Sequence, residues 1–163
     1  MLKVLVLGAN GMIGSAMLTV LGNHNDLQVS GTVRDNASAK FFTTEIRKKL
    51  HYCGDLVSLD VLTKIIKEIH PHVVVNCAGV TKHKEISSTP SCVITINSLM
   101  PHLLAGVCDL VGARLIHVST DCVFSGRKGG YLETDLPDAY DFYGKSKALG
   151  EVDYPNCLTL RTS

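Results

Sequence analysis

Apolar residues recur along the chain in two forms, short unbroken runs and longer amphipathic stretches. Val4–Leu7 is a continuous apolar run, suited to a strand buried on both faces. Met12–Leu21 follows as a helix ending at Gly22, and Leu27–Val33 reads as a second strand. The polar stretch Asp35–Lys49 predicts no more than a short helix, and a third strand centres on His51-Tyr52-Cys53. From about Asp60 to Ile69, Val61, Leu62, Ile65, Ile66 and Ile69 fall on one helical face, with Lys64, Lys67 and Glu68 outside. His70-Pro71 ends that helix, because the residue before proline avoids the α region. Val73–Val75 is a fourth strand, and Pro90 to about Leu110 a longer helix with Pro101 as an expected kink. Leu115–Ser119 makes a fifth strand, Ser125–Ala139 a loop, the stretch from about Phe142 a helix, and Cys157–Arg161 a sixth strand. This alternation predicts an α/β domain built on a doubly wound, mostly parallel six-stranded sheet.

Composition narrows the class. The 163 residues suffice for one domain with a hydrophobic core. Sixteen basic and fifteen acidic side chains leave a formal charge of +1, which argues against nucleic acid or a membrane surface as partner. No apolar run is expected to span a bilayer, and the N-terminus enters a strand pattern directly, without a signal-peptide cleavage site. A cytoplasmic location is the expectation. The six cysteines are dispersed without a Cys-x-x-Cys pair, so they read as free thiols in a reducing compartment. No metal site is expected.

Candidate chemistry begins at Gly8-Ala9-Asn10-Gly11-Met12-Ile13-Gly14, which leaves a buried strand and opens a helix. In that setting a three-glycine turn is a dinucleotide-binding signature. Gly8 permits the tight turn, Gly11 lets the backbone approach a pyrophosphate, and Gly14 lets helix pack on sheet. The helix N-terminus presents N–H groups and partial positive charge to the phosphates. The expected architecture is therefore a three-layer Rossmann fold, with residues 1–163 as one NAD(P)-binding domain.

The end of the second strand bears on the choice of cofactor. A carboxylate there holds a ribose 2′-hydroxyl, whereas a cation holds a 2′-phosphate. The strand ends Gly31-Thr32-Val33-Arg34, so Arg34, with a hydrogen bond from Thr32, favours NADP over NAD. The alternative, an exposed Arg34 with Asp35 on the ribose, stays open. Ligands of such sheets sit beyond the carboxyl ends of the strands, so Cys77-Ala78-Gly79 after Asn76, Ser119-Thr120-Asp121, and Arg161-Thr162-Ser163 are expected to converge near Gly8. Asp55-Leu56 is a candidate adenine cap, with a plain turn as the alternative.

Tyr143-Gly144-Lys145-Ser146-Lys147 supplies the reactive pair. Tyr143 and Lys147 are four apart and share one helical face. A nearby ammonium favours phenolate and would bring the Tyr143 hydroxyl into the range useful for proton transfer. Thr120 and Ser119 can hold the substrate oxygen.

With these residues assembled, the chain resembles the extended short-chain dehydrogenase/reductases, and within them the dTDP-4-dehydrorhamnose reductase-like (RmlD-like) nucleotide-sugar enzymes. The resemblance runs from Met1 to Ser163. It is most specific in Ser119-Thr120-Asp121-Cys122-Val123-Phe124-Ser125-Gly126, then Tyr131-Leu132-Glu133-Thr134-Asp135-Leu136-Pro137, then Tyr143 to Lys147 and Gly150-Glu151. Cys122 departs from the pattern, which has an aromatic there more often.

The resemblance implies an NAD(P)H-dependent reductase of a 4-keto-6-deoxy nucleotide sugar. Tyr143 would protonate the C4 keto oxygen, Lys147 would bind the nicotinamide ribose, and Thr120 would hydrogen-bond the sugar. Asn97 would support the lysine, with Thr81, Lys82 and His83 as weaker cofactor or substrate contacts. It also implies a C-terminal substrate domain beyond this chain, and it allows a homodimer through the helices near Pro90 and Phe142. Two alternatives remain: an epimerase or dehydratase of the same family, and a non-catalytic NADP-binding regulatory subunit. Cys122, where many dehydratases carry a glutamate, leans toward the reductase.

Overall fold

Six parallel strands form one sheet in the order β3-β2-β1-β4-β5-β6. The computed structural model describes residues 1–54, 56, 58–82 and 89–163. The strands are β1 (Leu2–Leu7), β2 (Leu27–Val33), β3 (Leu50–Tyr52), β4 (Val73–Asn76), β5 (Arg114–Thr120) and β6 (Cys157–Thr162). Every pairing is parallel, so the expected three-layer Rossmann architecture is what the chain adopts. The strand order reverses between β1 and β4, which opens a crevice at their carboxyl ends.

Helices cover both faces. On one side α1 (Met12–Leu21) sets Leu18 against Val4, Val6 and Val29. On the other, α4 (Leu59–Ile69) and α5 (Pro90–Leu110) cover Leu5, Leu7, Val74 and Leu115. Leu62, Ile65 and Ile66 are the buried residues of α4, each side chain contributing about 1.5–3 kcal/mol by leaving water. A last helix, α6 (Phe142–Ala148), follows the loop after β5.

Several local expectations change. The polar stretch after β2 holds two one-turn helices, α2 (Asn36–Ala39) and α3 (Thr44–Arg47), started by the side chains of Asp35 and Thr43. The third strand lies one residue earlier than expected, and α4 ends at His70 in the left-handed region (φ 48°), its N–H donating to the Ile66 carbonyl. In α5 the distortion precedes Pro101: a π-helical turn, Thr95–Leu99, separates α-helical Pro90–Ile94 from Met100–Leu110. Proline has no N–H for the carbonyl four residues back, which is that of Asn97. Gly150 lies so close to that oxygen that a Cβ would overlap it.

The expectation about apolar runs also needs correction. Among the described residues, Pro90–Leu110 is long and apolar enough to cross a bilayer by length and composition, with a mean hydropathy of 1.5. Half of that stretch is buried in this fold, where Met100, Leu104, Val107 and Cys108 belong to the core.

Candidate active site

The turn after β1 is built from backbone. Gly8 stands at φ 73°, which favours glycine, and a Cβ there would come within 2.9 Å of the Ala78 backbone at the end of β4. A Cβ on Gly14 would overlap the Gly8 carbonyl, so α1 rests directly on the turn. The Gly11 N–H donates to the Gly8 carbonyl at 3.0 Å. Gly11 is also the N-cap of α1, and no side chain caps the N–H groups that follow. Asn10, Met12 and Ile13 are exposed around this opening, leaving the helix N-terminus ready for an anion. On one flank the turn borders a cavity of about 620 Å³ between α1 and α2–α3, walled in part by Met12, Phe41 and Ile46.

Thr32 does not serve a ligand. It is fully buried; its Oγ1 accepts from the Gly8 N–H at 3.2 Å and its carbonyl accepts from Ala9 at 2.9 Å. Arg34, by contrast, is exposed at the end of β2, and its side chain makes no hydrogen bond or ion pair among the described residues. Asp35 is engaged elsewhere: its carboxylate accepts from both the N–H and the hydroxyl of Ser38 at 2.8 Å, which hold it below its ordinary acidity range. Asp55 and His83 lie outside the described residues. Leu56 packs, half-buried, against the core beneath the sheet rather than standing as an open adenine platform.

After β4, Cys77 and Ala78 are half-buried and Gly79 is exposed. Burial pushes the Cys77 thiol up to about 11 against an opposing effect of Lys147. The Arg161-Thr162-Ser163 segment does not join them. β6 is the sheet edge, three strands from β1 and therefore about 14 Å away at sheet spacing. Arg161 forms a two-pronged ion pair with Glu151, its Nε and Nη2 donating to the two carboxylate oxygens at 2.9 and 2.8 Å. Ser119 is taken by the same group, donating to Glu151 Oε1 at 2.8 Å with 4% of its surface exposed. It therefore does not face a ligand.

Thr120 and Tyr143 do come together. The Thr120 hydroxyl accepts from the Cys122 N–H at 3.2 Å and is near enough to the Tyr143 phenol to favour its ionised form. The Thr120 hydroxyl donates to the Asp121 carboxylate at 3.3 Å. Tyr143 is carried on α6, whose approach depends on a glycine: a Cβ on Gly144 would overlap the Cys122 carbonyl. The Asp141 carboxylate caps α6 at Gly144 N–H, 2.8 Å, and pairs with Lys82 across the cleft mouth at 3.1 Å.

Lys147 is placed differently from the expectation. It is 5% exposed, and its Nζ donates to the Val118 carbonyl at 2.9 Å and lies 3.4 Å from His117 Nε2. The Tyr143 phenol is accordingly raised, not lowered. Burial is the main cause; Thr120 opposes it, and Cys122, Asp121 and Asp141 add to it. Burial also draws the Lys147 ammonium down to about 8, with Glu151 and Cys77 opposing.

Asn97 is no cofactor contact in this arrangement. Fully buried in the π turn, it accepts from Val80 N–H at 2.8 Å and donates to the Val80 carbonyl and Ser146 Oγ at 3.0 and 3.1 Å. It ties the segment after β4 to α6, and so supports Lys147 through the backbone. Sequence reasoning missed His117, and it marked Glu151 within the family pattern without giving it a role. The only available signal for His117 was a polar residue inside an otherwise apolar strand.

Comparison with known proteins agrees with this geometry. The family described as the RmlD substrate binding domain matches residues 2–163. A dTDP-4-dehydrorhamnose reductase from Burkholderia thailandensis is 34% identical over 170 residues, covering 99% of this chain and 50% of its own length. The methionine adenosyltransferase 2 subunit beta of Danio rerio is 32% identical over 149 residues, 91% of this chain and 42% of its own. Among solved structures, the dTDP-4-dehydrorhamnose reductase of Bacillus anthracis in complex with NADP superposes with a TM-score of 0.77 at 26% identity, covering 98% of this chain and 52% of that one. The chain spans about half the length of the curated relatives it matches. With the glycine turn at the end of β1 and the six-stranded order matching, the chain belongs to the RmlD substrate binding domain family.

Proposed function

We propose that this chain is the cofactor-binding and proton-donating part of an NADPH-dependent reductase acting on a 4-keto-6-deoxy nucleotide sugar. The observation that carries the reading is the approach of Tyr143, on α6, to Thr120 at the carboxyl end of β5, the strand next to β4. The residues fit a dinucleotide: a turn without side chains, an uncapped α1 N-terminus, and Arg34 exposed beside an Asp35 already engaged with Ser38. A bound nicotinamide would supply the hydride that reduces the keto carbon. Arg34 would hold the 2′-phosphate, and the α1 N–H groups the pyrophosphate. Thr120 would position the keto oxygen, and Tyr143 would give that oxygen its phenolic proton as the C–O bond becomes single. The raised Tyr143 keeps the phenol protonated at neutral pH, the form a reductive step needs.

A second reading is a regulatory, nucleotide-binding subunit. The position of Lys147, bonded to Val118 rather than to Tyr143's oxygen, and the similarity to a methionine adenosyltransferase subunit favour it. One experiment separates the readings: mix the protein with NADPH and dTDP-4-dehydrorhamnose, and follow absorbance of the reduced nicotinamide. Turnover that Tyr143→Phe abolishes supports the reductase. Saturable NADPH binding without turnover in a chain extended to the length of the relatives supports the regulatory subunit.

A further inference from the structure

β5 is apolar through its centre except at His117, which has no exposed surface. Its Nδ1 lies 3.0 Å from Asn76 Nδ2, and its Nε2 lies 3.4 Å from Lys147 Nζ. The orientation of the Asn76 amide is fixed independently, since Oδ1 accepts from the Ala78 N–H at 3.1 Å. Reversing it would set two donors against each other. Asn76 therefore donates to Nδ1, Nδ1 must accept, and a neutral imidazole carries its proton on Nε2, facing Lys147. An ammonium has only donors and would meet that N–H badly. A neutral amine accepts from it while still donating to the Val118 carbonyl at 2.9 Å.

The other groups around Nζ do not reverse this. Glu151 favours the charged form, but its carboxylate is already engaged by Arg161 and Ser119. Cys77, just after β4, is a thiol rather than a thiolate. Tyr143, one turn earlier on α6, is a phenol whose burial keeps it protonated and uncharged. The Ser98 hydroxyl donates to the Ser146 carbonyl at 2.8 Å and so holds the backbone of α6 that carries the lysine.

We propose that Asn76 and His117 are positioning residues: they fix one imidazole tautomer and thereby hold Lys147 withdrawn from Tyr143 and biased toward its neutral amine. The reductase reading enters only in what Lys147 is finally used for, not in where it rests. Burial acts in the same direction, drawing Lys147 to about 8 and His117 to about 3. Ligand binding that draws Lys147 to the cleft would then add a proton to it.

The test is a pH titration of the unliganded protein labelled with ¹³C at lysine Cε, followed by NMR, with the Lys147 signal identified by its loss in Lys147→Arg. Lys147 is expected to titrate about two pH units below the exposed lysines. His117→Gln keeps an acceptor toward Asn76 and a donor toward Lys147, and should keep the low midpoint. His117→Phe removes the donor, and Asn76→Ala frees the imidazole to change tautomer, so each should raise the midpoint by about one unit. Lys147 titrating with the surface lysines would overturn the proposal, as would midpoints in both His117→Phe and Asn76→Ala equal to that of the parent protein. Adding NADPH should raise the Lys147 midpoint. If NADPH shifts no signal, the reductase reading fails, while the series without NADPH still decides the role of Asn76 and His117.

Discussion

On the β3-β2-β1 side of the sheet, Thr32 is the buried polar side chain among the described residues. On the β4-β5 side and in the helices beside it, Asn76, Asn97, Ser98, His117, Ser119, Thr120, Ser146 and Lys147 are all buried. The first side presents a turn made of backbone, with side chains removed where the chain must pass close to itself. The second holds a connected set of hydrogen-bonding groups, none left without a partner among those described. Burying so many polar groups is costly unless each is satisfied, and a satisfied network holds one arrangement firmly. On the proposed function, the first side would bind through its backbone and the exposed Arg34, whereas proton transfer on the second would need groups whose protons are placed.

The largest expected effect breaks the second side alone. Tyr143→Phe should lower reductive turnover by about 10²–10⁴-fold in a steady-state assay, the usual worth of a positioned acid. The matching break on the first side is Gly14→Ala. Its methyl would overlap the Gly8 carbonyl, and the loss should be about 2–4 kcal/mol by denaturant titration, together with cofactor binding.

The first side was legible in the sequence because glycines at a turn report directly on backbone geometry. Gly8, Gly11 and Gly14 sit where their spacing placed them, at the end of β1 and the start of α1. The second side was legible only as a set of names. Thr120 and Tyr143 meet as expected, but the direction of a long side chain is set by tertiary partners that spacing does not reveal. Lys147 shares a helical face with Tyr143 yet reaches Val118, and Ser119 turns to Glu151, 32 residues away. Asn97 was marked by resemblance, but its role came from a π turn that no periodicity announces. The reach of β6 toward Gly8 failed because strand order, not sequence order, decides which ends are neighbours.

A third break concerns pH. The folded protein holds His117 at about 3, below its ordinary 6.5, so between those values the unfolded chain binds more protons. Stability should therefore fall as pH drops from about 6.5 toward 3, by a few kcal/mol in all. In His117→Gln that slope should be absent. Lys147 acts in a separate window: with its folded value lowered from 10.5 to about 8, its own contribution grows as pH climbs from 8 to 10.5, while the raised Cys77 and Cys108 thiols oppose it above about 9, so it is read as the difference between the parent protein and Lys147→Met. Chemical denaturation at successive pH values reads both.

The smallest expected effect sharpens the first side. Arg34→Ala should narrow the ratio of NADPH to NADH affinity by about tenfold, the worth of one charge-assisted contact to a 2′-phosphate. Competition binding with the two reduced cofactors measures it.

The most direct measurement is a fluorescence titration of the protein with NADPH and, separately, with NADH. Saturable binding of one NADPH per chain, tighter than NADH, is the predicted result. No binding of either at millimolar concentration, by a chain whose circular dichroism shows it folded, would contradict the assignment of the glycine turn to a dinucleotide.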